Sequence, residues 1–283
     1  MQFKSFFITF VLVASMGLSH AQQLNLTAKD SAQNLWQMVK QDTKYTLKSV
    51  GHSFTRPLHW KGDDFAKLGI LIGGTASLTL ADREVRRVFQ SNAEDFPTVV
   101  RDFGWYFGSP QNYFMANAGL YGFGLITKNE KVRKTSVLII SSSITTGLIQ
   151  TFTKNAIGRA RPGRNEGHLT FNPFANDVGY TSFPSGHTIL SVTMAHSIAK
   201  QFENPWVKVG IYTVGAIPPI SRLVDDAHWL SDIAFSTAVS IFVVDAIDKF
   251  LNKQDAYGLP KKEKQISWNL RFGANQIGVV GVF

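Results

Sequence analysis

The sequence predicts an all-α protein, a single helical bundle of about six core helices. Six apolar segments of 14–20 residues follow one another between polar breaks, a length that suits helices and exceeds ordinary strands. They are rich in Gly, Ser and Thr, as in Ser141-Ser142-Ser143-Ile144-Thr145-Thr146, so helices can approach closely through small side chains. A chain of 283 residues with 44% hydrophobic and 17% charged side chains suits a packed core rather than a disordered one.

Taken in order, residues 1–21 read as a secretory signal. Lys4 is the only Lys or Arg there, an apolar run spans Phe6 to Leu18, and Ser19-His20-Ala21 places small residues where a signal peptidase needs them. Cleavage is expected after Ala21, with an uncleaved membrane anchor as the alternative. Residues 22–60 are polar and mixed, with weak helical periodicity around Ala32 to Val39, and form an N-terminal helical extension. Residues 61–255 hold the bundle, in the segments Phe65–Leu80, Tyr113–Ile126, Ser136–Phe152, Thr188–Phe202, Trp206–Ile220 and Ser231–Phe250. Residues 256–283 form a tail. Ile266, Trp268, Leu270 and Phe272 alternate with other residues, and after a Gly-Ala-Asn-Gln break so do Ile277, Val279, Gly281 and Phe283. That pattern predicts a short β-hairpin packed on the bundle.

A membrane span needs about 20 apolar residues, and most of the six segments are shorter. With residue 22 outside the cytoplasm, six crossings would also put the basic loop Lys128–Lys134 outside, against the positive-inside tendency. A soluble or peripherally bound exported bundle, in the periplasm, is the favoured reading.

Lys and Arg number 29 against 20 Asp and Glu, a net charge of +9, and there is no cysteine. The absent cysteine excludes a disulfide framework, a thiolate nucleophile, a Cys-ligated zinc and an iron–sulfur cluster. The basic excess fits nucleic acid, an anionic membrane surface or a phosphate-bearing substrate. Export argues against nucleic acid.

Three motifs stand between Lys154 and Asp232. Lys154 and Arg161 are seven residues apart and Pro162 follows. On a helix they would share a face, where a point charge and a planar fork suit an oxyanion. Pro184-Ser185-Gly186-His187 precedes an apolar run and reads as a helix start, whose N–H groups and dipole favour an anion. Gly186 would let the backbone approach a ligand, with His187 beside it as a proton donor. Ser221-Arg222, His228 and Asp232 follow. At i, i+4 spacing the Asp232 carboxylate can reach His228 Nδ1–H and free the other nitrogen as a nucleophile. Each motif alone also has an ordinary structural reading: a solvated basic face, a capped helix, a structural His–Asp pair. Together they supply what transfer of a phosphoryl group to histidine requires.

The set Lys-x6-Arg-Pro, Pro-Ser-Gly-His and Ser-Arg-x5-His-x3-Asp resembles the signature of the type-2 phosphatidic acid phosphatase superfamily, matched at every fixed position. In this chain 21 residues separate Pro162 from Pro184 and 33 separate His187 from Ser221, and the resemblance covers about residues 110–250. It implies a helical bundle and a metal-free phosphatase without cofactor. By the same resemblance His228 is the nucleophile, Asp232 orients it and His187 is the general acid. Lys154, Arg161 and Arg222 hold phosphate oxygens, and Ser185 and Gly186 add hydroxyl and N–H contacts. The implied substrates are phosphomonoesters or diphosphates, with lipid phosphates favoured over soluble esters. The alternatives are a broad-specificity acid phosphatase, a vanadate-dependent haloperoxidase (usually a much longer chain) and a non-catalytic phosphate-binding envelope protein.

Several nearby residues have open roles. Asp225 and Asp226 would oppose phosphate if they turned inward, so both are expected to turn away or pair with Arg159 or Arg164. Those arginines read as solvated loop residues, or as contacts to a second phosphate. His168 reads as a loop histidine. Phe103, Trp105, Tyr106, Phe107, Tyr113 and Phe114 read as bundle core, or as a groove for a lipid tail. Arg83, Arg86 and Arg87 read as a charged helix terminus. The oligomeric state is open.

Overall fold

A computed structural model describes residues 35–259, together with the backbone of two strands in the tail. The expected signal sequence lies outside the described residues. The described bundle is helical: α1 Leu35–Thr55, α2 Gly62–Leu78, α3 Asp82–Ser91, α4 Thr98–Phe107, α5 Pro110–Ile126, α6 Glu130–Ile157, α7 Gly186–Ala199, α8 Pro205–Val224 and α9 Leu230–Lys253. Each of the six apolar segments falls largely in one of these, as α2 and α5 to α9, with Phe65–Leu80 and Thr188–Phe202 running a few residues past their helices. In the tail, Ser267–Gly273 and Gln276–Val282 have strand backbone paired antiparallel. The described residues give the expected packing of a hairpin on the bundle no support, and the bundle is all-α.

Local chemistry sets the helix ends. Asn129 Oδ1 accepts from the Val132 N–H at 3.1 Å and starts α6, and Asn204 Oδ1 does the same for α8 through Trp206. Helix α6 stops at Gly158, whose φ of 58° is left-handed, a conformation glycine adopts without strain. This stop turns the chain into the loop that carries the first motif.

Helix α7 lies at the centre, packed on α6, α8 and α9. Contact runs through small side chains: Ser141, Ser142, Ser143, Ser191, Ser236 and Ser240 are all buried. Most hydroxyls are satisfied along their own helix, as Thr145 donates to Ser141 O at 2.9 Å and Ser236 to Asp232 O at 2.6 Å. Apolar packing is concentrated in two clusters, Val137, Leu138, Val244, Ile247 and Leu251 in one, and Tyr113, Ile139, Leu190 and Met194 in the other.

At the start of α6 a buried ion pair ties in the extension. Arg133 donates to both oxygens of Asp42 at 2.9 Å. Tyr121 and Tyr257 each donate to Asp42 at 2.8 Å.

Among the described residues, three helical stretches are long and apolar enough to cross a membrane: Gly62–Ser91, Glu130–Ile157 and Leu230–Lys253, of 30, 28 and 24 residues. The helices outrun the apolar segments read from sequence, so the length argument against crossing fails for these three. The apolar window of the first is wholly unburied, with Phe65, Ile70 and Ile72 exposed.

Candidate active site

The ends of α6 and α8 and the starts of α7 and α9 meet at one end of the bundle. There a cleft of about 500 Å³ is lined by Arg161, His187, Arg222 and His228 from the three motifs, and by Asp225 and Ala227 beside them. Its other wall is α4, through Thr98, Arg101, Asp102 and Trp105. The structure thus brings four of the eight singled-out residues to the cleft. Asp232, Lys154, Ser185 and Gly186 stand behind or beside them.

His228 is held differently from the expected pair. Its Nδ1 lies 2.6 Å from the backbone carbonyl of Ser182 and 3.7 Å from Asp232 Oδ2. The longer distance is an electrostatic contact, not a hydrogen bond. A carbonyl only accepts, so Nδ1 carries the proton and Nε2 keeps its lone pair. Asp232 Oδ2 instead accepts from Ser182 Oγ at 2.5 Å and from the Trp229 N–H at 2.9 Å, which caps α9. Burial pushes the His228 imidazole down to about 4, with Lys154 and Arg161 adding to the shift and Asp232 opposing it. It is therefore a neutral base at pH 7.

His187 opens α7 and is pushed down to about 3, first by burial and then by Arg222, His228 and Arg161. Its ring is 5.4 Å from that of Trp105, which also covers the Arg222 guanidinium at 4.8 Å. Gly108, in the turn from α4 to α5, makes this approach possible: a Cβ there would sit 2.6 Å from His187 Cδ2.

The cations are held from behind. Arg222 donates to Asp225 at 2.6 Å and to Ser221 Oγ. Arg161 donates to Thr181 Oγ1 at 3.2 Å and Lys154 to the Thr181 carbonyl. Arg161 Nε and His187 Nε2 are buried and have no hydrogen-bond partner. Buried polar groups are rarely left so; an oxyanion in the cleft would satisfy Arg161 Nε, and His187 Nε2 once that nitrogen is protonated. Ser185 donates its N–H to Ser236 Oγ at 2.8 Å and accepts from Thr188. That N–H is therefore committed within the bundle. The space that Gly186 leaves is filled by Gln150, whose Nε2 would lie 2.8 Å from a Cβ.

Other expectations are corrected. Asp225 does not turn away: it lines the cleft and pairs with Arg222 and with Arg101 at 2.8 Å. Asp226 pairs with Arg86 at 2.6 Å, not with Arg159 or Arg164. Arg164 binds Glu166 and Asp177, while Arg159 is buried rather than solvated. His168 lies in a turn, as expected of a loop histidine, and its Nδ1 accepts from Arg83 at 2.9 Å. The aromatic cluster divides. Tyr113 is core, Phe103 stacks on Phe107, and Trp105 lines the cleft. Sequence reasoning missed Arg101, Thr98 and Asp102, which carry no motif and lie over 50 residues before Lys154.

Comparison with known proteins bears on the same stretch. Lipid A 1-phosphatase of Porphyromonas gingivalis is 35% identical over 94 residues, 31% of this chain and 21% of the relative. Lipid A 1-phosphatase of Rhizobium etli is 30% identical over 97 residues, 34% of this chain and 41% of the relative. That of Rhizobium johnstonii is 33% identical over 89 residues, 31% and 36%. The chain thus spans less than half the length of the curated relatives it matches. No solved structure matches it significantly. Residues 135–254, the stretch that brings the three motifs to one cleft, are a PAP2 superfamily domain.

Proposed function

We propose that the protein is an exported phosphatase that hydrolyses phosphomonoesters or diphosphates, with lipid phosphates as its substrates, through a phosphohistidine on His228. The observation that carries this reading is the pair of buried, unpartnered nitrogens, Arg161 Nε and His187 Nε2, beside a neutral histidine in a cleft ringed by arginines. In the reaction, His228 Nε2 attacks phosphorus while the ester oxygen departs with a proton from His187. Arg161, Arg222 and Lys154 offset the charge on the equatorial oxygens, a role metal ions take in other phosphatases. Neutral His187 then takes a proton from a water that attacks phosphorus; the P–O bond forms as the N–P bond breaks, returning His228 and releasing phosphate.

His187 must carry a proton for the first step, and its proton affinity is lowered by burial and by the facing Arg222 and Arg161. A phosphate dianion beside it counters Arg222 and Arg161 and raises its proton affinity, so His187 takes up a proton from solvent as substrate binds. Asp232 steadies the phosphohistidine, which becomes cationic with Nδ1 still protonated.

Lipid substrates are supported by the exposed apolar flank on α2 and by the three helices long enough to cross a bilayer. The named activity of the relatives, removal of the 1-phosphate from lipid A, points the same way. We place the protein at a membrane on the exported side, with its apolar helices in or on the lipid.

A substrate panel tests this. Full-length protein in detergent should release phosphate from lipid phosphates with higher kcat/KM than from soluble phosphate esters, and should do so with EDTA present. The opposite ranking would favour a broad-specificity acid phosphatase, and loss with chelator would overturn the metal-free mechanism. His228→Ala should give no phosphoenzyme, and retained labelling would move the nucleophile elsewhere.

A further inference from the structure

We propose that Arg159 and Asp82 are positioning residues for His228, acting through Asp232. Arg159 occupies a variable position between Lys154 and Arg161. It is not in the cleft but behind it, with its side chain 3% exposed and those of Asp82 and Asp232 wholly buried. Its five N–H donors are all used. Nη1 donates to Asp232 Oδ1 at 2.5 Å and to Ser231 Oγ at 2.8 Å. Nη2 donates to Asp82 Oδ2 and the His168 carbonyl, both at 2.7 Å, and Nε to the same carbonyl at 3.0 Å. Asp82 Oδ1 in turn accepts from the Ser231 N–H at 2.9 Å, and Oδ2 from Ser231 Oγ at 2.6 Å. Asp82 thereby grips the first turn of α9, which carries Asp232. Asp82 lies outside the matched domain, on α3.

The charge balance explains why two carboxylates flank one guanidinium. Arg159 alone would cancel the negative charge of Asp232. Asp82 offsets Arg159, so these three buried side chains sum to −1 beside His228 and face the Lys154 and Arg161 cations across it. When His228 Nε2 bonds to phosphorus with Nδ1 still protonated, the ring becomes cationic, and this residual charge stabilises it. Orientation follows from the same contacts. With Oδ1 held by Arg159, Asp232 presents Oδ2 to Ser182 Oγ, and the Ser182 carbonyl holds His228 Nδ1. The backbone closes the circuit, since the Ser182 N–H donates to the Arg159 carbonyl at 3.0 Å.

The proposal rests on the phosphohistidine reading, and the experiment separates the two. Asp82→Asn, Arg159→Lys, Arg159→Met and Asp82→Asn/Arg159→Met are made in the full chain in detergent. Hydrolysis of p-nitrophenyl phosphate gives kcat and KM, and inorganic tungstate reports on the oxyanion cradle. Arg159→Met should lower kcat about 100-fold, as a misplaced catalytic group does. KM and tungstate affinity should stay near wild type, because neither residue faces the cleft. Arg159→Lys should recover part of the loss. Asp82→Asn should lower kcat alone, and the double variant should lose less than the product of the two single effects. Wild-type kcat in Arg159→Met and Asp82→Asn, alongside an inactive His228→Ala, would overturn the relay and leave the phosphohistidine reading standing. Full activity in His228→Ala would overturn that reading and the relay with it. Loss of tungstate binding in both Asp82→Asn and Arg159→Lys would show a brace for the fold, and would also overturn the positioning role.

Discussion

Helix α6 has a buried arginine at each end, and the two sites differ in a way that locates function. Arg133, near its start, meets one carboxylate. Asp42 accepts from Arg133 and from two tyrosines, so the charges cancel and every oxygen has a partner. Arg159, just past its end, meets two carboxylates, leaves a net negative charge and adjoins a cleft with unpartnered nitrogens. Burial of an ion pair therefore does not by itself mark a catalytic centre. What sets the second site apart is unbalanced charge beside incomplete hydrogen bonding.

The largest effect should come at the open end. His228→Ala should cut turnover by about 10,000-fold or more while the melting temperature stays near that of wild type. A variant that retained a tenth of the activity would remove His228 from the centre of the comparison. At the closed end the balance reverses. Arg133→Met strands the buried Asp42 charge and should cost about 3–5 kcal/mol of stability, read by denaturant melts, with kcat per folded molecule unchanged. A large fall in kcat in still-folded Arg133→Met would erase the distinction between the two arginines.

His187→Ala should slow esters with poor leaving groups by about 100- to 10,000-fold, and those with good leaving groups far less. Equal slowing of both would assign His187 to binding. Gly108→Ala forces a Cβ against the His187 ring and should give a milder version of the same pattern, about 10-fold, at a stability cost of about 1–3 kcal/mol. An unchanged ratio between good and poor leaving groups would show that the turn does not position the acid.

The smallest effect is on pH stability. Burial holds His187 and His228 at about 3 and about 4, below their ordinary 6.5. The unfolded chain therefore binds protons more readily, and their contribution to stability is complete above pH 6.5 and is lost as pH falls through about 4 and about 3. Tungstate should blunt that decline by raising the proton affinity of His187 in the folded state. A melting temperature flat across this window, with and without tungstate, would contradict the burial of both imidazoles.

The sequence made the bundle legible because each helix needs only a local apolar stretch and an end signal, such as Asn129 before α6 or Asn204 before α8. It made the motif residues legible because phosphoryl chemistry demands particular side chains. It misjudged how they are held. Four-residue spacing brings Asp232 close to His228, but only the tertiary fold brings the Ser182 carbonyl, 46 residues earlier, to Nδ1. Asp225 looked repulsive to phosphate until Arg101, more than 120 residues earlier, came to neutralise it.

By itself, then, the sequence determined the helical class, the motif positions of His187, His228, Arg161 and Arg222, and the absence of any cysteine. Tertiary structure alone decided which residues face the cleft, which carboxylate meets which arginine, and that α3 and α4, outside the matched domain, supply Asp82 and the Trp105 wall. The physical reason is range. Helix formation and capping act within a few residues along the chain. Buried charge must be balanced by whatever the fold brings within hydrogen-bond distance, and those partners come from anywhere in the sequence.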